Sequence, residues 1–160
     1  MVEWRVTAGD DSYPTRLRAL ARPPGLDGVG VLDDAPAVAI VGSRAARADA
    51  MALAEAVARR AVSRGRVVVS GGALGVDTAA HRGALAAGGR TVIVLGTGVD
   101  VLYPARNVGL FAAAVAAGGA RISPFPRGAL PVPWHFVARN TVIAALADVV
   151  VVAAAERNSG

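Results

Sequence analysis

Residues 67–81 read VVVSGGALGVDTAAH. Three valines run into Ser70-Gly71-Gly72, and a helical stretch follows that carries Asp77 and His81. A continuous β-branched run ended by glycine marks a strand covered on both faces. A helix placed directly after it is the repeating unit of a parallel α/β sheet. Because the stretch also holds Ser, Asp and His, it can be read three ways: a phosphate-cradling turn, a hydrolytic triad, or a plain connection.

The same rhythm extends in both directions. AVAIVG (37–42) reads as a strand, and 47–64 as a helix with Met51, Leu53, Ala54, Val57, Ala58 and Val62 on one buried face. After VVVSG (67–71) a helix is expected over about 77–87. TVIVLG (91–96) is the next strand, with a helix near 107–117, a weaker strand ARISPF (120–125), a Pro-rich loop, a helix near 139–146 and a last strand VVVVAA (149–154). These segments predict an α/β, three-layer fold with a mainly parallel sheet of at least five strands. Residues 1–35 look different: one short helical stretch over 14–21, then a Pro-Pro-Gly break and acidic turns. They are read as a lead-in or cap to the domain of residues 36–160.

Composition narrows the function classes. Hydrophobic residues make up 54% and charged residues 18%, yet no run approaches the ~18 apolar residues of a membrane span. The N-terminus does not read as a signal peptide, having an acid at position 3 and no apolar core segment. The absence of cysteine excludes disulfides and thiolate metal sites and fits a cytoplasmic location. Every basic residue is Arg, and the net charge is +5. Such a balance suits a polyanionic partner, gripped by forked guanidinium groups.

Ligands of open parallel sheets bind beyond the carboxyl ends of the strands. Those ends are Gly42-Ser43-Arg44, Ser70-Gly71-Gly72 and Gly96-Thr97-Gly98. Glycine lets backbone N–H groups approach an anion, and the next helix N-terminus adds partial positive charge. No GxGxxG follows the first strand, and a Walker A loop needs a lysine that this chain lacks, so dinucleotide redox chemistry and P-loop hydrolysis are disfavoured. A triad of Ser70, Asp77 and His81 is also rejected. Asp77 and His81 are four apart on one helix, where Asp77 reads as an N-cap and His81 as a packed residue, and Ser70 has no GxSxG elbow. The loop PFPRGALPVPWHFVARN (124–140) places Trp134, His135 and Phe136 beside Arg139 and Asn140. Aromatics next to arginine can form a stacking platform for single-stranded nucleic acid, or plug the core beneath the loop.

Taken together, AIVGSR, SGGALGVDTAAHRGAL, GGRTVIVLGTGVDVLYPARN, the Ser-Pro-Phe-Pro loop, FVARNTVIAALAD and VVVVAAAERNSG resemble, in order and spacing, the DNA-processing protein A (DprA/Smf) family. The lead-in SYPTRLRALARPPG is similar to that family's Tyr-Pro-x-x-Leu segment, so the likeness covers about residues 11–160. The resemblance implies a Rossmann-like core that binds single-stranded DNA without catalysis and without a cofactor. It implies protection of that DNA and help in loading the RecA recombinase during natural transformation. It carries DNA or phosphate contacts to Gly42, Ser43 and Arg44, and to Ser70, Gly71, Gly72, Gly75, Asp77 and His81. Gly96, Tyr103, Pro104, Phe136, Arg139, Asn140, Ser159 and Gly160 complete the set, with Arg44 and Arg139 on phosphates and Phe136 stacking a base.

Four positions depart from the family pattern: Leu74 and Thr141 stand where arginines are usual, and Pro124 and Ala153 where acids are usual. The family also continues past Ser-Gly with further strands and part of a dimer surface, so a truncated or reduced member is expected, with a homodimer still plausible. Two other classes stay open. One is a nucleotide sensor or phosphoribohydrolase-like domain, although SGGALGVD lacks the Thr and Glu of the hydrolase motif. The other is a remnant without ligand.

Overall fold

A computed structural model describes residues 3–155. Its strands are β1 (Glu3–Val6), β2 (Leu26–Gly30), β3 (Ala37–Gly42), β4 (Val67–Gly71), β5 (Thr91–Val94), β6 (Ala120–Ser123) and β7 (Val149–Ala154). They form one seven-stranded sheet in the order β1-β2-β6-β5-β4-β3-β7. The five strands from β6 to β7 are parallel, whereas β1 and β2 join antiparallel at the far edge. The apolar runs of β3, β4 and β5 are buried as expected, but β7 is an edge strand and its Val149, Val150 and Val152 are exposed.

The pleat sends alternate residues to opposite faces, which is why those runs carry no polar alternation. Ala37, Ala39, Val67 and Val69 pack with Leu17, Val142, Ile143 and Leu146 on one face, under α1 (Thr15–Arg18) and α6 (Asn140–Leu146). Val38, Ile40 and Val68 pack on the other, under α2 (Ala48–Val62) and α3 (Val76–Ala86). Ala54, Ala58 and Ala61 bring α2 down, while Leu53 faces outward with 51% exposure instead of joining the buried stripe. Farther along that layer α4 (Val108–Ala116) buries Phe111 and Ala114 against Ile93 and Leu95.

The lead-in differs from its reading. Besides the helical turn α1 it supplies β1 and β2, whose glycines and acids hide the strand signal. Trp4 lies over Gly28, where any Cβ would overlap its ring, and its indole N–H donates to Gly30 O at 2.8 Å. Tyr13 and Leu17 are buried, and the Tyr13 hydroxyl donates to Pro24 O at 2.7 Å. Asp148 fastens the lead-in to the sheet base by accepting from Arg16 at 2.7 Å, Arg66 at 2.9 Å and the Ala37 N–H at 3.0 Å.

The Pro-rich loop also holds a helix, α5 (Pro133–Ala138), opened by Pro133 and followed at once by α6. From β3 the chain steps outward through β4, β5 and β6, then returns through α5 and α6 to lay β7 on the other side of β3. The strand order therefore reverses between β3 and β7. In an open α/β sheet that reversal splits the flanking helices and leaves a crevice at the strand ends.

Candidate functional site

That crevice is a cleft of about 660 Å³ between the turn after β3, the start of α3, the α5–α6 pair and the end of β7. Its shape depends on two glycines. A Cβ on Gly42 would stand 2.7 Å from Ala154 O and from the Val76 side chain, and Gly75 adopts φ +80° against the backbone of Ser43 and Arg44. The two turns therefore lock together: the Ser43 N–H donates to Ala154 O at 3.0 Å, and the Val76 N–H to Ser43 O at 3.3 Å.

The floor lies beneath the turn quoted at the outset. Arg139, only 4% exposed, lies flat on Gly71, where a Cβ would overlap the guanidinium. Its Nη2 donates to Asp77 Oδ2 at 3.3 Å, while Nε and Nη1 have no partner among the described residues. Burial pushes the guanidinium below its usual pKa; Asp77 opposes that shift and the nearby Arg44 charge adds to it. Asp77 is thus the counter-ion of a buried cation. It does not cap α3, because Gly75 occupies the N-cap and Asp77 sits inside the first turn. The same carboxylate oxygen accepts the Ala73 N–H at 3.3 Å, so this strand-to-helix turn carries its own anion.

Ser70 and His81 are fully buried. Ser70 donates to Ile40 O at 2.5 Å, whereas His81 Nε2 donates to Gly71 O at 2.8 Å and Nδ1 faces the Thr91 hydroxyl at 2.7 Å. Burial keeps both side chains from the direct ligand contact that the resemblance implies; Ser70 ties β4 to β3 at Ile40, and His81 holds the backbone at Gly71. Ser70, Asp77 and His81 make no hydrogen bond to one another, and no triad forms. Burial depresses the His81 pKa, with the Gly71 hydrogen bond and Asp77 pulling the other way. Gly72 and Gly96 are buried as well, Gly72 against Phe111 and Leu95 and Gly96 against Phe136.

The mouth is built differently. Arg44 is exposed and forms no ion pair among the described residues; its guanidinium carbon stands 4.7 Å over the Phe136 ring centroid. Tyr103, 46% exposed, adds a second ring 6.0 Å from Phe136, and Pro104 follows it at the start of the 105–107 turn. Trp134 and Phe136 do not plug the core: Trp134 is 63% exposed, and Phe136 is half-buried between Gly96 and Arg44, while His135 stacks on Phe125 at 3.9 Å. Asn140 lines the cleft beside an apolar wall of Val137, Ile143, Ala144, Val150 and Val152. Ser159 and Gly160 lie outside the described residues.

Two contributors escaped the sequence reading. Asn107 is buried and donates to Gly72 O and to Thr78 Oγ1, both at 2.9 Å, which ties the 105–107 turn to the glycine turn. Its signal was its place in Tyr-Pro-Ala-Arg-Asn. The wall from β7 could not be found without the strand order. Among the described residues no cluster of three or more His, Asp or Glu could hold a metal ion, and no helix is long and apolar enough to cross a membrane.

Comparison with known proteins agrees with the fold. The chain is 38% identical over 162 residues to protein Smf of Synechocystis, covering 97% of this chain and 40% of that one. It superimposes on DNA processing protein A of Streptococcus pneumoniae with a TM-score of 0.88 at 39% identity, over 98% of this chain and 56% of that one. With DNA processing protein A of Helicobacter pylori, described for its single-stranded DNA binding mode, the TM-score is 0.83 at 32% identity, over 97% and 71%. The chain spans 40% and 54% of the Synechocystis and pneumococcal curated relatives. The family model for DNA recombination-mediator protein A matches residues 4–160, and the chain belongs to that family.

Proposed function

We propose that this chain binds single-stranded DNA in the cleft between β3 and β7, as a non-catalytic module. The observation that carries the reading is the mouth: an arginine without a carboxylate partner among the described residues, resting on an aromatic ring at the edge of an open cleft. Guanidinium groups fork onto phosphate, and aromatic faces stack on unpaired bases of any sequence. Arg44 would hold backbone phosphate, Phe136 and Tyr103 would receive a base, and the apolar wall would cover its edge. Arg139 would contribute charge from below, since its side chain is engaged with Asp77 and Gly71.

The Helicobacter relative, described for its single-stranded DNA binding mode, supports the choice of ligand. Protection of the strand, assistance to RecA loading in natural transformation, a cytoplasmic location and a homodimer belong to the same proposal and rest on the family resemblance.

The test is fluorescence anisotropy of labelled oligo-dT with the wild-type chain and Arg44→Ala, at low and moderate salt. Salt-sensitive binding weakened by the substitution is expected. No binding even at low salt would overturn the reading. The cleft volume also suits a mononucleotide. Thermal stabilisation by mononucleotides with no response to oligo-dT would favour nucleotide sensing instead.

A further inference from the structure

The proposed DNA site contains a contact that works against simple additive binding. The Arg44 guanidinium lies 4.7 Å from the Phe136 centroid, and both residues line the cleft. Stacked rings sit with centroids ~4.5–7 Å apart, so the guanidinium occupies the space a base needs on that face. The ring has no room to retreat, because a Cβ on Gly96 behind it would stand only 2.6 Å from its Cδ1. Arg44 is exposed and, among the described residues, has no carboxylate to hold it elsewhere. It is free to leave the ring, but leaving forfeits the cation–π contact.

We propose that Arg44 and Phe136 form an exchange pair that makes the cleft select nucleotides over bare polyanions. The proposal rests on the single-stranded DNA reading and specifies how it discriminates. A base displaces the guanidinium from Phe136, and the freed guanidinium takes the adjoining phosphate. A ligand offering phosphate alone draws Arg44 away and leaves the ring unpaired. An uncharged nucleoside takes the ring but leaves the cation unpaired. Only base and phosphate together satisfy both partners.

The pair predicts opposite signs for partial and complete ligands. Affinities are measured for oligo-dT and for an abasic deoxyribose-phosphate oligomer of equal length by anisotropy, and for thymidine by NMR titration. Wild type, Arg44→Ala and Phe136→Leu are compared, both substitutions lying at the cleft mouth. Abasic binding should tighten about two- to fivefold in Phe136→Leu, and thymidine binding by a similar factor in Arg44→Ala, matching an exposed cation–π contact. Oligo-dT should weaken in both. The proposal is overturned by abasic binding that Phe136→Leu leaves unchanged or weakens. It is overturned equally by thymidine binding that Arg44→Ala weakens, as a base stacked on the guanidinium would give. Thymidine that saturates no variant counts against it, since a freed ring should accept the base. These wrong signs, with wild-type oligo-dT binding intact, sink the exchange alone. Absence of oligo-dT binding to the wild type sinks the DNA reading with it.

Discussion

Arg139 and Arg44 line one cleft and live in opposite environments. Arg139 is 4% exposed, pressed on Gly71 and paired with Asp77, with two donors left over among the described residues; Arg44 is exposed and rests on an aromatic ring. The floor around Arg139 is a closed arrangement in which Ser70, His81, Thr91 and Asn107 all spend their hydrogen bonds internally. The mouth around Arg44 is open, with Tyr103 about half exposed beside Phe136. One region sets the shape and the other is available to a ligand. Charge alone does not distinguish them; desolvation does, because a buried cation needs its counter-ion to stay folded.

The sharpest way to break this contrast is Asp77→Ala. It strands the Arg139 charge beneath the turn and should cost ~3–5 kcal/mol, seen in urea unfolding. A loss below ~1 kcal/mol would mean that water reaches the guanidinium and that the floor is not closed. Gly71→Ala follows: its Cβ overlaps the guanidinium, and the forced shift should cost ~1–3 kcal/mol.

A pH titration separates floor from mouth by a third route. His81 Nε2 must carry the proton it donates to Gly71 O, and the Thr91 hydroxyl has one proton for both His81 Nδ1 at 2.7 Å and Val68 O at 2.8 Å. Burial lowers the folded-state pKa of His81 below its unfolded value, so the unfolded chain binds the extra proton first. Stability from this group is therefore complete above the unfolded pKa of ~6.5 and falls as pH drops through that value, by no more than ~1.4 kcal/mol per pH unit. Melting temperatures followed from about pH 7.5 to about pH 5.5 should show the decline, and His81→Gln should flatten it. A decline that persists in His81→Gln would place the titrating group elsewhere.

How much of this was readable in the sequence follows from which forces act locally. Of the five parallel strands, β3, β4 and β5 were legible because burial leaves an unbroken apolar run. Strand β7 shows the same run for another reason: it is an edge strand whose exposed Val150 and Val152 wall the cleft. The strands β1 and β2 were not, since LDGVG earns its place by receiving the Trp4 ring, a contact between distant positions. Helix α5 hid behind prolines that read as loop, although Pro133 sits where a first-turn proline favours a helix. Gly42, Arg44 and Phe136 were picked out by residue type and motif. Asp77 was assigned the commonest local role for its type; its real partner is 62 positions away. Local signals reach about one helix turn, and the floor is made of partners that only the crossover brings together.

The smallest effect on stability belongs to Arg44→Ala, and it sharpens the comparison most. An exposed side chain outside any ion pair among the described residues should change unfolding free energy by no more than the worth of its cation–π contact, ~1 kcal/mol. Its loss should still weaken oligo-dT binding across sequences, because a phosphate contact carries no base information. One lost phosphate contact should also flatten the log–log salt dependence by ~0.7, the increment for a single strand. Stability and affinity are then decoupled at the mouth, whereas Asp77→Ala should lower both together. If Arg44→Ala instead destabilised the fold as strongly as Asp77→Ala, the two arginines would share one structural role. If it left both affinity and salt slope unchanged, the strand would have to run past the cleft by another face of this arginine-rich surface.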